Sequence, residues 1–430
     1  MKIAVIGTGY VGLVQGVGLA EKGHEVVCVD IDKEKIEKLK QGISPIYEPG
    51  LDELIEKNIK AKQLSFSTDL ASSINGAKAI FIGVGTPQGE GGAADLSYVY
   101  TVAREIGESM KEYSVIINKS TVPVGSAKKV ADIIKENYDN EFDVVSNPEF
   151  LREGMAVSDV MNPDRVVIGT NSKTAKKIME EIYKDFDCPK VFVTPESAEL
   201  IKYASNAFLA TKISFINEIA GICERVGADV KEVSEGMGLD KRIGDKFLEA
   251  GLGYGGSCFP KDTWALHQIA NLNNYEFKIL KSVIEVNNNQ KRLIREKIKK
   301  TFPDMRGKIF AVWGLAFKPD TDDVRESPAI NLIRWLIGRG VKVRACDPIA
   351  IENAKSHLPH EVEYFDSPYD AASGADAVVV ITDWNHFKEI DKNLLKEVLG
   401  EHNIFDGRNI FDPREMKELG FNYHGIGRRV

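Results

Sequence analysis

Short apolar runs alternate with helical patterns along roughly the first 190 residues of the chain. The runs are rich in β-branched residues, and the segments between them place apolar residues about 3.6 positions apart. This alternation predicts a parallel, doubly wound α/β sheet. The predicted strands are Lys2 to Ile6, Glu25 to Val29, Ala79 to Val84, Ser114 to Lys119, Asp143 to Ser146, Val166 to Ile168 and Val191 to Val193.

The pattern changes after residue 195. The segment from Ser197 to Val226 predicts one long helix, and Phe277 to Lys300 predicts a second. Strand and helix patterns then alternate again from about residue 305, with strands expected in GKIFAVWG, VKVRACDP and ADAVVVITDW. We therefore expect an α/β fold in which a central helical domain with a long connecting helix joins two Rossmann-like doubly wound domains. The expected domains are 1–195, 196–300 and 301–430.

The first predicted strand leads into a glycine-rich turn, GTGYVG, and an apolar helical pattern follows from Val11 to Ala20. In this arrangement Gly7 allows a tight turn, Gly9 admits a pyrophosphate, and Gly12 lets the helix pack on the strand. Strand, glycines and helix in this order predict a dinucleotide-binding site. The alternative is a glycine-rich turn in some other α/β protein.

The second predicted strand ends at Asp30, and an acidic residue at this point selects between the two nicotinamide dinucleotides. Its carboxylate can accept hydrogen bonds from both ribose hydroxyls and would repel a 2′-phosphate. Lys33 and Lys35 follow, and we interpret them as part of a solvated helix face. The predicted cofactor is therefore NAD.

A second glycine-rich segment, Gly255 to Asp262, reads GGSCFPKD and combines a thiol, an ammonium and a carboxylate within five residues. Cys258 follows two glycines, where the backbone can approach a ligand closely. Lys261 and Asp262 are near enough in sequence to tune the thiol or to handle a proton. Polar neighbours favour a reactive thiol, although a buried, inert cysteine is the alternative.

Other polar groups with catalytic potential occur on the long helix and at the ends of strands. Lys202 and Asn206 are four residues apart and share one helix face, where they could donate together to an oxyanion or form a solvated surface. Three loops add paired carboxylates, hydroxyls and cations that suit acid–base chemistry, a cofactor or anionic oxygens. They are NPEFLREG with Glu149 and Glu153, KSTVPVG with Ser120 and Thr121, and FKPDTDDVRES with Lys318 and Arg325.

Composition excludes several classes of protein. With 430 residues, 43% apolar and 28% charged, the chain resembles an ordinary soluble protein with more than one core. The net charge of −8 argues against a general nucleic-acid-binding surface. No apolar run approaches the roughly 20 residues that span a bilayer, and a strand at the N-terminus leaves no room for a signal peptide. We therefore expect a cytoplasmic protein that binds neither nucleic acid nor membranes.

Cysteine and histidine usage indicates neither disulfides nor a metal. The five cysteines are an odd number without clustered spacing, so we expect reduced thiols, with Cys28 and Cys346 in the core. The seven histidines have no metal-ligand spacing, and no metal is predicted.

Seven motifs in order give the chain a family resemblance over essentially its whole length. GTGYVGL, KSTVPVG, NPEFLREG, the helix of Lys202 and Asn206, GGSCFPKD, FKPDTDDVRES and FDGRN resemble the UDP-glucose 6-dehydrogenases of the UDP-glucose/GDP-mannose dehydrogenase family. The resemblance implies a homodimer or higher homo-oligomer that uses NAD to oxidise UDP-glucose to UDP-glucuronate for polysaccharide synthesis.

Two alternatives stay open. A sister enzyme acting on a UDP-N-acetylhexosamine or GDP-mannose is the nearer one, because GDP-mannose dehydrogenases share a very similar NPEFLRE segment. A two-electron hydroxyacid dehydrogenase is the alternative of another class. Such an enzyme needs no catalytic thiol and no third α/β domain, so Cys258 and residues 305–430 count against it.

The resemblance also implies roles for individual residues. The catalytic set is Cys258 as covalent nucleophile, Lys202 and Asn206 as oxyanion donors, and Asp262, Glu149 and Thr121 as residues that hold or activate water. Arg242 is expected to reach the partner subunit's sugar site. The other implied substrate contacts are Phe150, Leu151, Arg152, Glu153, Lys202, Asn206, Phe247, Leu248, Gly251, Leu252, Gly253, Tyr254, Gly255, Phe317, Lys318 and Arg408. The expected cofactor contacts are Gly7, Gly9, Tyr10, Val11, Gly12, Asp30, Lys35, Gly85, Thr86, Pro87, Ser120, Thr121, Glu153, Cys258, Lys261 and Arg325.

Overall fold

The computed structural model describes residues 1–428, and the chain divides into two compact units. The first unit is Met1–Ser205, and the second begins at Asn206. Each unit contains one β-sheet with helices, and the division falls within a long helix, Pro195–Val226. The predicted α/β class, with two Rossmann-like sheets and a long connecting helix, is confirmed.

The first unit contains an eight-stranded sheet. Its strands are β1 (Lys2–Ile6), β2 (Glu25–Val29), β3 (Leu64–Ser67), β4 (Ala79–Ile82), β5 (Val115–Asn118), β6 (Asp143–Ser146), β7 (Val166–Gly169) and β8 (Lys190–Val193). Strands β1 to β6 are parallel in the order β3-β2-β1-β4-β5-β6, which is the Rossmann order. The remaining two strands pair in parallel with each other, but β7 meets β6 antiparallel, so the expectation of a wholly parallel sheet was wrong for them.

Helices cover both faces of this sheet. They are α1 (Tyr10–Glu21), α2 (Lys33–Lys40), α3 (Leu51–Lys60), α4 (Leu70–Ile74), α5 (Ser97–Ser109), α6 (Ser126–Lys135), α7 (Ala156–Met161), α8 (Lys173–Ile182) and the long helix α9 (Pro195–Val226), with a short 3₁₀ turn at Glu90–Gly92. Alternate side chains of β1 enter different cores because successive residues of a strand point to opposite faces. Ile3 and Val5 pack with α1, whereas Ala4 and Ile6 pack with α5. A strand covered on both faces must be apolar throughout, as KIAVI is.

The second unit repeats the same topology. Its strands are β9 (Ile309–Trp313), β10 (Lys342–Cys346), β11 (Glu363–Phe365), β12 (Ala377–Val380), β13 (Asn403–Asp406) and β14 (Asn422–His424). All are parallel, in the order β11-β10-β9-β12-β13-β14. In both sheets the strand order therefore reverses beside the first strand, and ligands of such folds bind at the carboxyl ends of the strands there.

The remaining helices are α10 (Val230–Gly238), α11 (Phe259–Leu272), α12 (Lys278–Thr301), α13 (Pro328–Ile337), α14 (Ile351–Lys355), α15 (Pro368–Ala372), α16 (Asn385–Lys388), α17 (Lys392–Val398) and α18 (Pro413–Glu418). Cys28 and Cys346 are buried in strands, as predicted. Across residues 1–428, no helix combines the length and the apolar character of a membrane span. Nor do the described side chains include a group of three or more His, Cys, Asp or Glu suited to a metal ion.

Candidate active site

In the glycine-rich turn after β1, Gly7 and Gly12 pack closely against other backbone atoms, whereas Gly9 faces open space. Gly7 has a φ of +98°, and a Cβ there would lie 2.9 Å from the Gly83 carbonyl oxygen. A Cβ on Gly12 would lie 2.0 Å from the Gly7 oxygen. A Cβ on Gly9, by contrast, would meet no atom within 4 Å. Since α1 begins at the next residue with unpaired N–H groups, the turn fits a pyrophosphate.

Asp30 follows β2 and is fixed by hydrogen bonds. Its Oδ2 accepts from the Thr8 nitrogen at 2.8 Å and the Thr8 hydroxyl at 2.7 Å, and Lys35 Nζ lies 3.3 Å away. Burial opposes ionisation of Asp30, but the bonds from Thr8 and Asp32 and the charge of Lys35 outweigh it and lower its pKa. Lys35 therefore contacts Asp30 and is not merely part of a solvated helix face. An oriented, ionised carboxylate suits NAD and disfavours NADP.

A buried ion pair lies where β6 ends. Lys202 Nζ is 2.8 Å from Glu149 Oε1, and the two residues are 3% and 4% exposed. The other carboxylate oxygen accepts from the Leu151 nitrogen at 2.5 Å. Burial raises the pKa of Glu149, but Lys202, Leu151 and Lys119 together hold it below its usual value. The sequence predicted roles for both partners but not their pairing.

Lys119 is a second buried lysine beside this pair, and no role was predicted for it from the sequence. Its Nζ lies 3.3 Å from Asn147 Oδ1, which also accepts from the Tyr183 hydroxyl at 2.6 Å. Burial lowers the pKa of Lys119 to about 8; Glu149 opposes the decrease and Lys202 adds to it. A lysine directly after the apolar run of β5 was the available sequence signal.

Glu199, on α9, joins this helix to the start of α6. Its carboxylate accepts from the nitrogens of Gly125 at 2.7 Å and Ala127 at 2.9 Å, and from Ser146 Oγ at 2.9 Å. Burial raises the pKa of Glu199 despite these bonds. Glu199 was not predicted from the sequence, because its partners lie over 50 positions away in the chain.

A small polar cavity lies beside the ion pair. Its volume is about 10 Å³, which is room for about one water molecule. The side-chain amide of Asn118 is buried, and neither its nitrogen nor its oxygen has a hydrogen-bond partner among residues 1–428. The lining residues are Asn118, Ser120, Thr121, Val122, Ser146, Pro148, Glu199 and Lys202. Two predicted catalytic residues, Thr121 and Lys202, thus line one polar cavity.

The loops after β4 and β5 are tied together by hydroxyl groups. Thr86 Oγ1 donates to the Thr121 carbonyl oxygen at 3.0 Å, and Ser120 Oγ donates to the Val84 carbonyl oxygen at 2.6 Å. The Ser120 hydroxyl therefore fixes these loops, in addition to any contact with a cofactor.

The loop after β6 carries the predicted residues Phe150 to Glu153. The Phe150 ring centroid lies 3.9 Å from Arg165 Cζ and 5.5 Å from Lys202 Nζ, which is cation–π distance. Arg152 pairs with Asp159 at 2.6 Å on the surface. These contacts hold the loop but assign it no ligand.

Cys258 lies at the N-cap of α11 in the second unit, with Ser257 Oγ 3.5 Å from its Sγ. A helix N-terminus favours negative charge, so the position suits a thiolate. One turn later Asp262 is fully buried and accepts from Asn206 Nδ2 and Lys261 Nζ, each at 2.6 Å. The structure therefore brings Asn206 of α9 together with Lys261 and Asp262 of α11, the helix that Cys258 caps.

The glycines before Cys258 are required by packing of the protein itself. A Cβ on Gly255 would lie 2.5 Å from the Glu326 carbonyl oxygen, and one on Gly256 would lie 2.7 Å from the Phe317 ring. A Cβ on Gly253 would lie 2.4 Å from Asn287 Oδ1. Contacts with Glu326 and Phe317 therefore account for the missing Cβ atoms of Gly255 and Gly256, and a close approach of a ligand to their backbone stays a prediction.

The predicted substrate cations of the second unit differ in how they are held. Arg408 donates to the carbonyl oxygens of Ile381 at 2.7 Å and Phe317 at 2.9 Å, so its guanidinium is fixed beside the segment of Lys318. Arg325 forms paired bonds to Asp323. Arg242 is likewise bonded to Asp240 but is 89% exposed in its side chain.

Backbone strain is concentrated in the same predicted segments. Phe247, Asp320, Glu326 and Asn409 are non-glycine residues with positive φ, between +54° and +64°. Such conformations cost about 1–3 kcal/mol each and cluster at ligand sites. Leu248, Leu252 and Tyr254 are buried, and the glycines between Gly251 and Gly256 are buried as well.

Two Rossmann sheets, a dinucleotide turn and a cysteine at a helix N-terminus together define a nucleotide-dependent dehydrogenase. The chain belongs to the UDP-glucose/GDP-mannose dehydrogenase family. The family's NAD binding domain matches residues 1–187, its central domain 196–289, and its UDP binding domain 311–413. The protein is therefore an NAD-dependent oxidoreductase.

Individual relatives cover the whole chain. The UDP-glucose 6-dehydrogenase TuaD of Bacillus subtilis is 52% identical over 99% of this chain and 93% of its own length. The UDP-glucose 6-dehydrogenase of Rhizobium meliloti is 49% identical over all of both chains. The solved UDP-glucose dehydrogenase of Pyrobaculum islandicum is 39% identical, with a TM-score of 0.93 over 99% of this chain and 98% of its own.

Asp30 is expected to contribute both to the affinity for NAD and to the preference for NAD over NADP. Replacing it in Asp30→Ala should weaken NAD binding about tenfold, the loss expected for a charge-assisted hydrogen bond, and narrow the preference for NAD over NADP. The ratio of kcat/KM for the two cofactors measures the effect. Asp32→Ala, which removes the cap of α2, is the matched control. An unchanged ratio in Asp30→Ala would mean that Asp30 does not reach the ribose.

Proposed function

We propose that this enzyme oxidises UDP-glucose to UDP-glucuronate, with two NAD and one water consumed per substrate. The observation that carries the proposal is Cys258 at the N-cap of α11, above the buried Asp262 and its partner Asn206. Full-length relatives named UDP-glucose 6-dehydrogenase, 43–52% identical, support the choice of substrate.

Removing four electrons from a primary alcohol requires an intermediate that stays bound between the two oxidations. NAD, when bound, accepts the hydride in each of them. The Cys258 thiolate attacks the aldehyde carbon, forming a C–S bond and a thiohemiacetal, and oxidation of this adduct gives a thioester. Attack by water then breaks the C–S bond, which releases the carboxylic acid and the thiol. Because hydrolysis of a thioester is strongly downhill, the reaction does not reverse.

Lys202 and Asn206 donate hydrogen bonds to the oxygen that becomes negative when the thiolate attacks. The charges around Lys202 support this role. Lys202 is paired with Glu149, and the second buried lysine, Lys119, is close enough for its charge to lower the pKa of Glu149 as well. A fixed positive charge at low dielectric stabilises an oxyanion without reorganisation.

Glu149, Thr121 and Asp262 hold or activate the hydrolytic water. A lowered pKa keeps Glu149 ionised, so that its carboxylate can accept a hydrogen bond from the water. The polar cavity lined by Thr121 has room for about one water.

The second sheet binds the nucleotide of the substrate. The match of residues 311–413 to a UDP binding domain supports this assignment. Arg408, held against the Phe317 carbonyl, and the neighbouring Lys318 supply cations for the diphosphate or sugar. The strained backbone at Phe247 supports an adjacent contact with the base.

Other sugar nucleotides are the second candidate substrates. A solved UDP-D-ManNAc dehydrogenase of Pyrococcus horikoshii has a TM-score of 0.88 but only 28% identity. Since relatives named for UDP-glucose are more similar in sequence, UDP-glucose is the favoured substrate.

The stoichiometry tests this function. Each UDP-glucose consumed should yield two NADH and one uronate, measured by absorbance and by mass spectrometry of the product. Cys258→Ser should nearly abolish turnover, whereas Cys188→Ser, at a half-buried thiol of the first unit, should not. UDP-N-acetylglucosamine and GDP-mannose serve as comparison substrates. One NADH per substrate with free aldehyde as the end product would refute the four-electron reaction.

We also propose that the working unit is at least a homodimer, with α9 in the interface. Phe208, Phe215 and Ile222 are spaced seven residues apart on this helix, so they form one stripe, and they are 65%, 49% and 53% exposed. A row of exposed aromatic and aliphatic side chains along one helix is typical of an interface between copies. In such a dimer the exposed Arg242 completes the sugar site of the neighbouring subunit.

A mixing experiment tests the shared site. Arg242→Ala and Cys258→Ser subunits, each nearly inactive alone, are combined under conditions that exchange protomers. One site of each heterodimer then carries both changes and the other carries neither, so activity should partly recover. Subunits that both carry Cys258→Ser are the control. If activity does not recover although exchange is demonstrated, Arg242 acts in its own subunit or in no site.

A further inference from the structure

Glu48 is a buried carboxylate that none of the proposed chemical steps uses. It is 6% exposed and lies between α2 and α3. Its Oε2 accepts from the Tyr10 hydroxyl and from the Gly154 nitrogen, the latter at 2.7 Å. Its Oε1 accepts from the Ala156 nitrogen at 2.7 Å. These donors are a phenol and two backbone amides, so charge-assisted hydrogen bonds hold the carboxylate in place.

A tight turn fixes the backbone of Glu48. The sequence Glu48-Pro49-Gly50-Leu51 forms a β-turn in which the Leu51 nitrogen donates to the Glu48 oxygen at 3.2 Å. Gly50 has φ +79° and ψ 0°, and proline precedes it, as a type II turn requires. Helix α3 then begins at Leu51, so the turn holds Glu48 at a constant position.

The donors to Glu48 come from two segments that are separate in sequence and share a proposed ligand. Tyr10 is the first residue of α1, directly after Gly9 of the dinucleotide turn. Gly154, with φ +79°, directly follows Glu153. The Gly154 nitrogen also lies 3.1 Å from the Tyr10 hydroxyl. Burial and the neighbouring Glu48 raise the pKa of Tyr10, so its hydroxyl keeps its proton and remains a donor.

We propose that Glu48 is a positioning residue for NAD, which holds the Glu153 loop against the first turn of α1. The inference rests on the proposed roles of Tyr10 and Glu153 as cofactor contacts. Glu48 acts through Tyr10 and Gly154, which both donate to its carboxylate. It fixes the spacing between the segment that receives the pyrophosphate and the segment that carries Glu153.

The test measures binding of NADH and of UDP to the full-length protein. Glu48→Gln keeps the size of the side chain but places an amide N–H₂ against groups that are themselves donors. The affinity for NADH, followed by its fluorescence, should fall about tenfold, as expected when charge-assisted bonds are lost. The affinity for UDP, followed by calorimetry, should stay within about twofold, because sites without shared partners behave independently.

Asp143→Asn is the matched control. Asp143 is in the same unit and also accepts from a tyrosine, Tyr113, at 2.6 Å, and from the Ser172 hydroxyl at 2.7 Å. It is the first residue of β6 and so lies at the opposite end of the strand from the loop that carries Glu153. Its change should therefore lower stability and leave NADH affinity unaltered. Tyr10→Phe, which removes one donor and keeps the ring, should weaken NADH binding in the same direction as Glu48→Gln.

Unchanged NADH affinity in Glu48→Gln, or an equal loss in Asp143→Asn, would overturn the proposal. If Glu48→Gln does not fold, the NADH affinity of Tyr10→Phe tests the proposal instead. An unaltered NADH affinity in Tyr10→Phe also overturns the proposal. The NADH titration needs no sugar nucleotide. A wild-type protein that binds NADH but does not oxidise UDP-glucose would therefore refute the proposed function while this test remains valid.

Discussion

The ion pair between Lys202 and Glu149 is the interaction on which the proposed chemistry depends. Two ionised groups removed from water lose several kcal/mol of hydration each, and only close pairing with further hydrogen bonds offsets the loss. The 2.8 Å contact and the bond from the Leu151 nitrogen meet this requirement. Removing one partner of such a pair costs about 3–5 kcal/mol, so α9 and the loop after β6 are held in one arrangement. That arrangement supplies both a fixed ammonium and an ionised carboxylate.

Much of the fold could be predicted because its signals are local. Neighbouring residues alone predict the strand, the glycine turn and the helix of residues 2–21. They also predict that Asp30 follows a strand. The three-residue strands β11 and β14 are too short for a periodic pattern. The direction of β7 was not predictable, since alternation of apolar residues is the same for both orientations of a strand.

The site was predicted least well where its contacts are distant in sequence. Glu199 binds a nitrogen 74 residues away, and Glu48 binds one 106 residues away. No short motif contains both partners of such a contact, so only the fold reveals why these carboxylates are buried. Gly255 shows the same limit, because no neighbouring residue in the sequence reveals that its missing Cβ makes room for the Glu326 carbonyl oxygen.

In the proposed reaction, Cys258 carries the sugar nucleotide as a thioester that Glu149 helps to hydrolyse. Mass spectrometry of acid-quenched Glu149→Gln during turnover tests it most directly. The account predicts a uronyl adduct on the peptide that contains Cys258, which accumulates in this variant and is absent when Cys258→Ser is added. An adduct on another residue, or a variant that releases free aldehyde with no adduct, would contradict the account.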